Sequence, residues 1–362
     1  MGDAAPVLLV IGAAVIVIAL LSAVVTKVSI RYAHRRGMLD QPGARRSHDV
    51  ATPRGGGIGI VVAAIVACLF ERVIHVDAQP WPLIAGMLLV ATAGWIDDHR
   101  GLGVLPRLAL HVLAAAIVVW SLRAPVATGL ASPVLRAGAY AIVLIACVWS
   151  INLHNFMDGI NGLLAAQAVF VLLVLAVLCA TTLNGSAHAA LLLLWATATL
   201  AFLPFNFPRA RVFMGDVGSG VLGFLIAVGV LWQTQVAETA AASGFIACSA
   251  FVIDATCNLL SRMLRGKRWY SAHREHLYQW MTRTGMSHPR VVAWYAGWNL
   301  LVVVPVLYWL NHAAPARLQH DSGTFLTRSG LIAVIGTYAA GSALWIFGKR
   351  WCLDRVKSRG HA

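Results

Sequence analysis

The chain alternates between long apolar runs and short polar loops over its whole length. The apolar runs fall at residues 6–29, 56–74, 81–96, 104–121, 134–151, 162–181, 187–205, 217–232, 239–260, 289–310 and 325–347. Each is close to the roughly 20 residues that a helix needs to cross a hydrocarbon core. We therefore predict an all-α, polytopic membrane protein with about eleven transmembrane helices, which forms a single domain over residues 1–362.

Composition agrees with this pattern. Hydrophobic residues make up 59% of the chain, charged residues only 12%, and the mean hydropathy is +0.75. These values exclude an ordinary soluble domain. The six cysteines are scattered, without a CxxC pair, and are typical of small packing residues, not of a disulfide framework or a metal site.

The charge distribution predicts the orientation in the membrane. The first apolar run follows Asp3, carries Lys27 near its end and precedes Arg31, so we predict an N-terminus outside and a basic loop inside. On this orientation 23 of the 28 Lys and Arg residues fall inside and 5 outside. The net charge of +14 then indicates topology and attraction to anionic lipid headgroups or phosphorylated substrates. No nucleic-acid-binding signature accompanies it, and we predict no nucleic-acid partner.

Polar motifs are confined to the loops after the first, third, fifth, seventh and ninth runs, which all fall on the inside. The motifs are ATPRGGG with Arg54, the pair Asp97 and Asp98, NLHNFMDGINGL, FNFPRARVFMGDVGSG, and HREH. The loops on the other side are short and chemically plain. This sorting predicts one composite, inside-facing site at the membrane edge.

The segment NLHNFMDGINGL places four oxygen-bearing side chains within a dozen residues, namely Asn152, Asn155, Asp158 and Asn161. Such a cluster suits a hard cation, or the phosphates and hydroxyls of a nucleotide-sugar. A polar turn that caps two helices would use the same residue types for their turn chemistry. Taken alone, the segment leaves both interpretations open.

Two adjacent acids, Asp97 and Asp98, are predicted at the end of a helix. A helix C-terminus is the negative end of the dipole, and each carboxylate raises the other's proton affinity, so the pair is unfavourable without a cation or a proton-transfer task. A solvated pair at a loop edge is the alternative. We expect one of them, with Asp98 preferred, to act as a general base.

Three weaker patterns complete the sequence. The glycines of ATPRGGGIG by themselves favour close helix contacts. Asp254 is predicted about two turns inside a span, where an ionisable residue indicates a functional site or a polar network, with Arg262 or Arg265 as partner. His273 and His276 are three residues apart, which is weak evidence for a site.

With these motifs in order, nearly the whole chain resembles the polyprenyl-phosphate N-acetylhexosamine-1-phosphate transferases, which are cytoplasm-facing membrane enzymes. The form HREHLYQ is more similar to the branch that begins O-antigen or related surface glycans than to the peptidoglycan branch. The resemblance implies transfer of an N-acetylhexosamine-1-phosphate from a UDP-sugar to undecaprenyl phosphate, with release of UMP. It also implies a bacterial inner membrane protein with a cytoplasmic active site and C-terminus.

The resemblance assigns roles to residues that match the family motifs. Metal ligands fall on Asp216 and Asn155, with Asp158 close by. Asp97 and Asp98 are implicated in catalysis or in holding the lipid phosphate, and Asp158 and His276 are predicted as further catalytic residues. Uridine contacts fall on Asn206 and Phe207, and the histidine loop, implicated in pyrophosphate contact, falls on His276 with Arg274 and His273 nearby. Arg54, Asn152 and Asn161 complete the predicted substrate-binding set. The chain departs from the family at Asn161, where many members have Asp, and at Tyr278 and Gln279, which replace histidines.

The chemistry fixes the expected cofactor and partners. Phosphoryl transfer between two anions needs a divalent metal, so we expect Mg²⁺, with Mn²⁺ as an alternative. The expected partners are a UDP-N-acetylhexosamine, undecaprenyl phosphate and membrane lipids, and a homodimer is left open. The competing hypothesis is a transporter or flippase of an anionic lipid-linked substrate, although neither broken helices nor paired repeats are evident.

Overall fold

The computed structural model of the protein describes residues 4–41, 51–74, 78–122, 132–181, 185–236, 240–267, 274–313 and 327–360. Helices account for nearly all regular structure in these ranges, which confirms the all-α class. The chain divides into two compact units, Met1–Ala237 and Glu238–Ala362, and its organisation as one domain stays a prediction.

The first unit contains eight helices and a short strand pair among its described residues. The helices are α1 (Ala4–Arg36), α2 (Ile58–Ile74), α3 (Trp81–Arg100), α4 (Val104–Ser121), α5 (Pro133–Met157), α6 (Leu163–Ala180), α7 (Ser186–Asn206) and α8 (Asp216–Val236). Strands β1 (Leu39–Asp40) and β2 (Thr52–Pro53) pair antiparallel, with Leu39 opposite Pro53. This pair fixes the polar loop that leads into α2.

The second unit begins with α9 (Ala240–Ala247) and α10 (Ser249–Leu264), which are bent by 70° relative to each other. The expectation that the chain contains no broken helix is therefore wrong at this pair. The short helix α11 (Leu277–Arg283) follows the HREH segment. Helix α12 (His288–Trp298) continues through a π-helical segment (Asn299–Val303), α13 (Val304–Tyr308) and a second π-helical segment (Trp309–Ala313). The last helix is α14 (Arg328–Gly360).

All eleven predicted apolar runs form helices, but fewer satisfy a strict test of length and hydropathy. Among the described residues eight helices are long and apolar enough to cross a membrane, or nine if α9 and α10 form one span. Helix α2 has 17 residues, and α3 carries Asp97 and Asp98 in its last turns. The multi-pass architecture is therefore confirmed, whereas crossing by α2 and α3 stays a prediction.

Helix α8 lies in the core of the first unit, because 83% of its most apolar 18-residue stretch is buried. Its glycines allow other helices to approach the backbone closely. A Cβ on Gly57 would lie 2.5 Å from the Cα of Gly218, and a Cβ on Gly223 would lie 2.5 Å from the Ser150 carbonyl oxygen. The interpretation of Gly55 and Gly59 as helix-contact residues is confirmed at Gly59, where a Cβ would lie 2.6 Å from the Ser22 carbonyl oxygen of α1, and is wrong at Gly55, where a Cβ would meet nothing within 4 Å.

Candidate active site

The side chain of Asp98 is buried at the end of α3 and holds the beginning of α8. Its Oδ1 accepts the backbone N–H of Asp216 at 3.1 Å, and its Oδ2 accepts that of Val217 at 3.2 Å. The first turn of a helix presents free N–H groups and a positive partial charge. A carboxylate at the C-terminus of α3 is unfavourable, and the interaction of Asp98 with the N-terminus of α8 compensates for this.

Glycines make this approach of α3 to α8 possible. Gly215 has a φ of +76°, and a Cβ there would lie 2.5 Å from Oδ2 of Asp98. A Cβ on Gly94 would overlap the backbone of Asp216. Glycine is required at both positions, the first for its left-handed backbone and the second for space. Gly215 of the FMGDVGSG motif thus fixes the position of Asp216 at the start of α8.

The guanidinium of Arg54 bridges the carboxylates of Asp98 and Asp216. Its Nε lies 2.8 Å from Oδ1 of Asp98, and its Nη2 lies 2.9 Å from Oδ1 of Asp216. Hydrogen bonds from Gly56 N to the Phe213 carbonyl and from Phe213 N to the Pro53 carbonyl hold the loop that presents Arg54. The Arg54 side chain is still 40% exposed, so part of the guanidinium faces outward.

Asp97 lies on the other side of Asp216. Nη1 of Arg107, in the first turn of α4, is 3.6 Å from Oδ2 of Asp97 and 3.5 Å from Oδ2 of Asp216. Oδ1 of Asp97 accepts the N–H of Leu102 at 2.7 Å, which closes the turn at Gly101. Sequence reasoning placed Arg107 only in an inside loop. Its spacing of ten residues from Asp97, just past a GLG turn, is the signal that could have placed it in the site.

The segment after α5 brings Asn155 and Asp158 to the same cluster. Asn155 contacts the Asp216 carboxylate and donates from Nδ2 to Oγ of Ser219 at 3.2 Å. Asp158 ends α5, and its pKa is raised well above the usual range, first by burial and then by the negative charge of Asp216. The structure therefore places Asp97, Asp98, Asp158 and Asp216 in one electrostatic cluster.

The other amides predicted to bind substrate have different surroundings. Asn206 is buried, with Oδ1 accepting the N–H of Gly162 at 2.7 Å and Nδ2 donating to the Val212 carbonyl at 3.0 Å. Asn152 donates to the Val148 carbonyl of its own helix and contacts His111 of α4. Asn206 ties two backbone segments together, whereas Asn152 is held within its own helix and against His111. Direct contact of either amide with a substrate stays a prediction.

Phe207 and Asn161 lie where the loop after α7 meets the loop after α5. The ring of Phe207 packs on Gly162, whose φ of +77° and close contact exclude a larger residue. Nδ2 of Asn161 donates to the Pro208 carbonyl at 3.3 Å. Asn161 and Phe207 thus share one loop junction with Asn206.

The donor set of the cluster suits a hard cation. Four carboxyl groups face only two guanidiniums, those of Arg54 and Arg107, and a bound cation would favour the ionised form of a group whose pKa is raised, such as Asp158. Within the described residues no three His, Cys, Asp or Glu side chains are arranged to hold a metal by themselves. Mg²⁺ commonly takes one or two carboxylates and completes its shell with water and substrate phosphates. Asp216 and Asn155, which contact each other, are the side chains that could provide those protein ligands.

In the second unit, Asp254 is the centre of a polar network. Its Oδ1 accepts the N–H of Leu277 at 2.9 Å and the indole N–H of Trp345 at 2.8 Å, and its Oδ2 accepts the hydroxyl of Tyr295 at 2.7 Å. The network interpretation of Asp254 is confirmed. Its partners are not Arg262 or Arg265 but neutral donors, because the side chain points to the start of α11.

The predicted histidine segment lies beside this network. His276 caps α11, is 2% exposed, and has its Nδ1 3.8 Å from Oδ1 of Asp254. Arg274 is exposed, and its carbonyl accepts a hydrogen bond from Arg283 at 2.9 Å. His273 lies outside the described residues. Tyr295 and Trp345, which sequence reasoning missed, carry no local motif because each comes from a distant helix.

These features define a multi-pass helical membrane protein with an acidic, arginine-bridged site where α3 and α5 end and α4 and α8 begin. The family description glycosyl transferase family 4 matches residues 80–234, which contain Asp97, Asp98, Asp158 and Asp216. The chain belongs to this family, that of the polyprenyl-phosphate N-acetylhexosamine-1-phosphate transferases.

Three relatives illustrate the similarity. Decaprenyl-phosphate N-acetylglucosaminephosphotransferase of Mycobacterium tuberculosis is 30% identical over 294 residues, covering 72% of each chain. Probable undecaprenyl-phosphate N-acetylglucosaminyl 1-phosphate transferase of Bacillus subtilis is 28% identical, covering 73% of this chain and 75% of the relative. Phospho-N-acetylmuramoyl-pentapeptide-transferase of Symbiobacterium thermophilum is 31% identical, covering 74% and 84%. Both the N-acetylglucosamine and the muramoyl-pentapeptide enzymes are thus similar to this chain.

Proposed function

We propose that the protein transfers an N-acetylhexosamine-1-phosphate from a UDP-sugar to undecaprenyl phosphate. An oxygen of the lipid phosphate forms a bond to the β-phosphorus of the donor, and the bond from that phosphorus to the bridging oxygen breaks. UMP leaves with the bridging oxygen, and undecaprenyl-diphosphate-sugar remains in the membrane. The observation that carries the proposal is the joined cluster of Asp97, Asp98, Asp158 and Asp216 with Arg54 and Arg107 in a chain of this family.

Asp216 and Asn155 are proposed to hold Mg²⁺, or Mn²⁺ in its place. A bound divalent ion supplies charge neutralisation for the donor diphosphate. Asp216 suits this task because the hydrogen bonds from its own N–H and from that of Val217 to Asp98 fix its backbone. Arg54 bridges Asp98 and Asp216, and Arg107 bridges Asp97 and Asp216. Both arginines are proposed to contact substrate phosphate oxygens with their remaining N–H groups.

Burial raises the pKa of Asp98, the base preferred from the sequence, to about 6, whereas the pKa of Asp97 is lowered, despite burial, by hydrogen bonds with Asp216 and Leu102. Access to a substrate nevertheless favours Asp97 over Asp98 for proton transfer. Both oxygens of Asp98 accept backbone hydrogen bonds and its side chain has no exposed surface, whereas the Asp97 side chain is 18% exposed. We propose that Asp98 positions Arg54 and α8 and that Asp97 is the candidate base. Lipid phosphate loses its second proton near pH 6. The deficit of Asp97→Asn should therefore shrink between pH 6 and 9, and a deficit that is constant across this range contradicts a base role.

Asn206 and Phe207 are proposed to shape the donor-binding loop, with Asn152 and Asn161 at its border. His276, Arg274 and His273 keep their predicted role towards the donor pyrophosphate. The buried position of His276 beside Asp254 would fix the orientation of its ring. A matched pair tests this, because His276→Ala should raise the KM for the donor, whereas His312→Ala, at an exposed site, should not.

A transporter or flippase is the competing function, and it would need Asp254 to meet a cargo. Asp254 instead accepts three hydrogen bonds from protein donors, which supports a structural role. UMP release by the purified protein, dependent on both undecaprenyl phosphate and a divalent metal, would support the transferase. Lipid-linked substrate crossing vesicles without UMP release would support the transporter.

The donor is proposed to be N-acetylfucosamine, N-acetylquinovosamine or N-acetylglucosamine as its UDP derivative. The product would begin an O-antigen or another surface polysaccharide. These sugars differ by one hydroxyl or its orientation, which one or two side chains can discriminate. A panel of UDP-sugars, with lipid-linked product as the readout, identifies the donor. A donor carrying a muramoyl pentapeptide belongs in the panel, because one of the relatives bears that name.

The proposed location is the bacterial inner membrane, with the N-terminus outside and the active site and C-terminus in the cytoplasm. The division of Lys and Arg supports this orientation. The native Cys352 is buried and cannot report on it, whereas Lys357 in the same helix is exposed. An impermeant thiol reagent added to intact cells should leave Lys357→Cys unmodified. Modification from outside would reverse the topology.

A further inference from the structure

His111 is a polar residue in the buried face of helix α4, which the structure describes over its full length. The buried residues of α4 recur at helical spacing, namely His111, Ala114, Ala115, Val118 and Val119. His111 is 4% exposed, and the other four are apolar. An ionisable residue buried in an apolar helix of membrane length indicates a functional site or a polar network. The reaction proposed for the acidic cluster does not use His111 directly.

Asn152 of α5 is the hydrogen-bond partner of His111 across the interface between α4 and α5. The amide nitrogen of Asn152 already donates to the Val148 carbonyl at 2.8 Å, which leaves its Oδ1 as the acceptor for a ring N–H. Among the described residues Nδ1 of His111 has no hydrogen-bond partner, so we assign the N–H that Asn152 accepts to Nε2. One buried hydrogen bond therefore joins the two helices.

Arg107 lies one helical turn before His111 and on the same side of α4, because residues i and i+4 are neighbours on a helix surface. Its positive charge acts on the His111 ring. Nη1 of Arg107 lies 3.6 Å from Oδ2 of Asp97 and 3.5 Å from Oδ2 of Asp216. Both separations are long beside the roughly 2.7–2.9 Å of a strong charge-assisted hydrogen bond. A small rotation of α4 would therefore move Arg107 away from both carboxylates.

The beginning of α4 has little other support from packing. His111 is the first buried residue of the helix, whereas Val104 is 57% and Leu105 is 79% exposed. The N-cap residue, Gly103, has no side chain that could accept hydrogen bonds from the first N–H groups. The contact of His111 with α5 therefore sets the rotation of the end of α4 that carries Arg107.

We propose that His111 is a positioning residue for Arg107. Its hydrogen bond to Asn152 fixes the rotation of α4 about its axis, and this rotation holds Arg107 between Asp97 and Asp216. The inference rests on the proposed transferase activity, in which Arg107 contacts substrate phosphate. It also gives Asn152 a task that needs no direct contact with a substrate.

The test is a double-mutant cycle on the purified full-length protein, assayed with undecaprenyl phosphate, Mg²⁺ and the UDP-sugar that supports the highest rate. His111→Leu removes the ring N–H, whereas His111→Gln keeps an amide N–H donor. Each is combined with Arg107→Gln. Val118→Ala is the matched control, because Val118 is 1% exposed and lies about two turns further along the same face of α4. Values of kcat and KM are measured together with thermal unfolding.

His111→Leu should lower kcat/KM about ten-fold, the order of effect of one lost hydrogen bond. The loss should fall in the same parameter, kcat or KM, as the loss in Arg107→Gln. In the Arg107→Gln background His111→Leu should cause no further loss, and His111→Gln should keep most of the activity. Val118→Ala should lower stability and have the same effect on activity in both backgrounds. If His111→Leu does not fold, Asn152→Ala replaces it in the cycle, because it removes the acceptor of the same hydrogen bond.

A loss in His111→Leu that multiplies fully with that of Arg107→Gln would overturn the inference. So would equal losses in His111→Gln and His111→Leu, because the donor N–H would then be unimportant. A wild-type protein that forms no lipid-linked product would refute the proposed function and this inference with it. An active wild type with independent effects of His111 and Arg107 would refute this inference alone.

Discussion

Asp98 in the first unit and Asp254 in the second perform the same structural task with different partners. Each is a buried carboxylate that accepts the backbone N–H groups at the beginning of another helix, α8 for Asp98 and α11 for Asp254. Asp98 also pairs with the charged Arg54, whereas Asp254 is completed by the neutral donors Tyr295 and Trp345. The charged partner of Asp98 is itself shared with Asp216.

This difference in partners shows that the region at the start of α8 is organised around charge. There the aspartates and arginines that position α8 also neutralise one another, so changing one carboxylate alters the electric field at the other aspartates. At the start of α11, the carboxylate is enclosed by hydrogen-bond donors that do not require it to be charged, apart from His276 nearby. Substitutions by Asn, which keep the shape and remove the charge, should therefore have unequal effects in the two regions.

The largest effect is expected at Asp216. Asp216→Asn should lower kcat by about 10²–10³-fold, the range seen when one preorganised electrostatic group is lost, and should leave the protein folded. Added Mg²⁺ should restore part of the activity. Asp354→Asn, at an exposed site on α14, serves as the control and should be silent. Wild-type activity and metal dependence in Asp216→Asn would remove it from the site.

The contact between α3 and α8 is the next most sensitive feature. Gly94→Ala should displace the backbone of Asp216, because the added Cβ overlaps it, and we expect a loss of about 2 kcal/mol or more in stability together with activity. Gly138→Ala is the matched control, since Gly138 lies in a helix with nothing within 4 Å of the added Cβ. It should be neutral or slightly stabilising through helix propensity. Thermal unfolding with parallel assays compares the two.

Sequence patterns were sufficient for the helices and for the residue types of the site, but not for its internal geometry. Long apolar runs indicate helices because crossing a membrane needs them, and Asp97, Asp98, Asp158 and Asp216 have motifs of their own. The bridging residue Arg107 lacks a motif, because its role comes from the approach of α4 to α8. The division of tasks between Asp97 and Asp98 likewise depends on which side of α3 faces the start of α8.

The two helix-holding aspartates provide a direct comparison. Asp98→Asn should cost about 2 kcal/mol, because it leaves Arg54 without one carboxylate and turns an amide N–H towards a backbone donor. Asp254→Asn should cost less, about 1 kcal/mol, since its carbonyl oxygen can still accept from Leu277 and Trp345. Denaturation of both variants in the same detergent shows which of them loses more stability. The reverse order would show that charge is more important at α11.

The smallest effect is expected at Tyr295. Tyr295→Phe removes one hydrogen bond of 2.7 Å to Asp254 and should cost about 1 kcal/mol, with little change in KM for the donor if the other two hydrogen bonds hold α11. Tyr308→Phe, at an exposed position, is the control. A large rise in KM for Tyr295→Phe alone would mean that the network also sets the position of His276.

The fate of the β-phosphate of the donor tests the proposed reaction most directly. The purified protein is supplied with a UDP-N-acetylhexosamine labelled on its β-phosphate, undecaprenyl phosphate and Mg²⁺. Transfer of a sugar phosphate requires that the label enters the lipid fraction in equal amount to the sugar, and that unlabelled UMP is released. Release of labelled UDP, with the sugar alone on the lipid, would contradict it, because the protein would then transfer a glycosyl group and not a sugar phosphate.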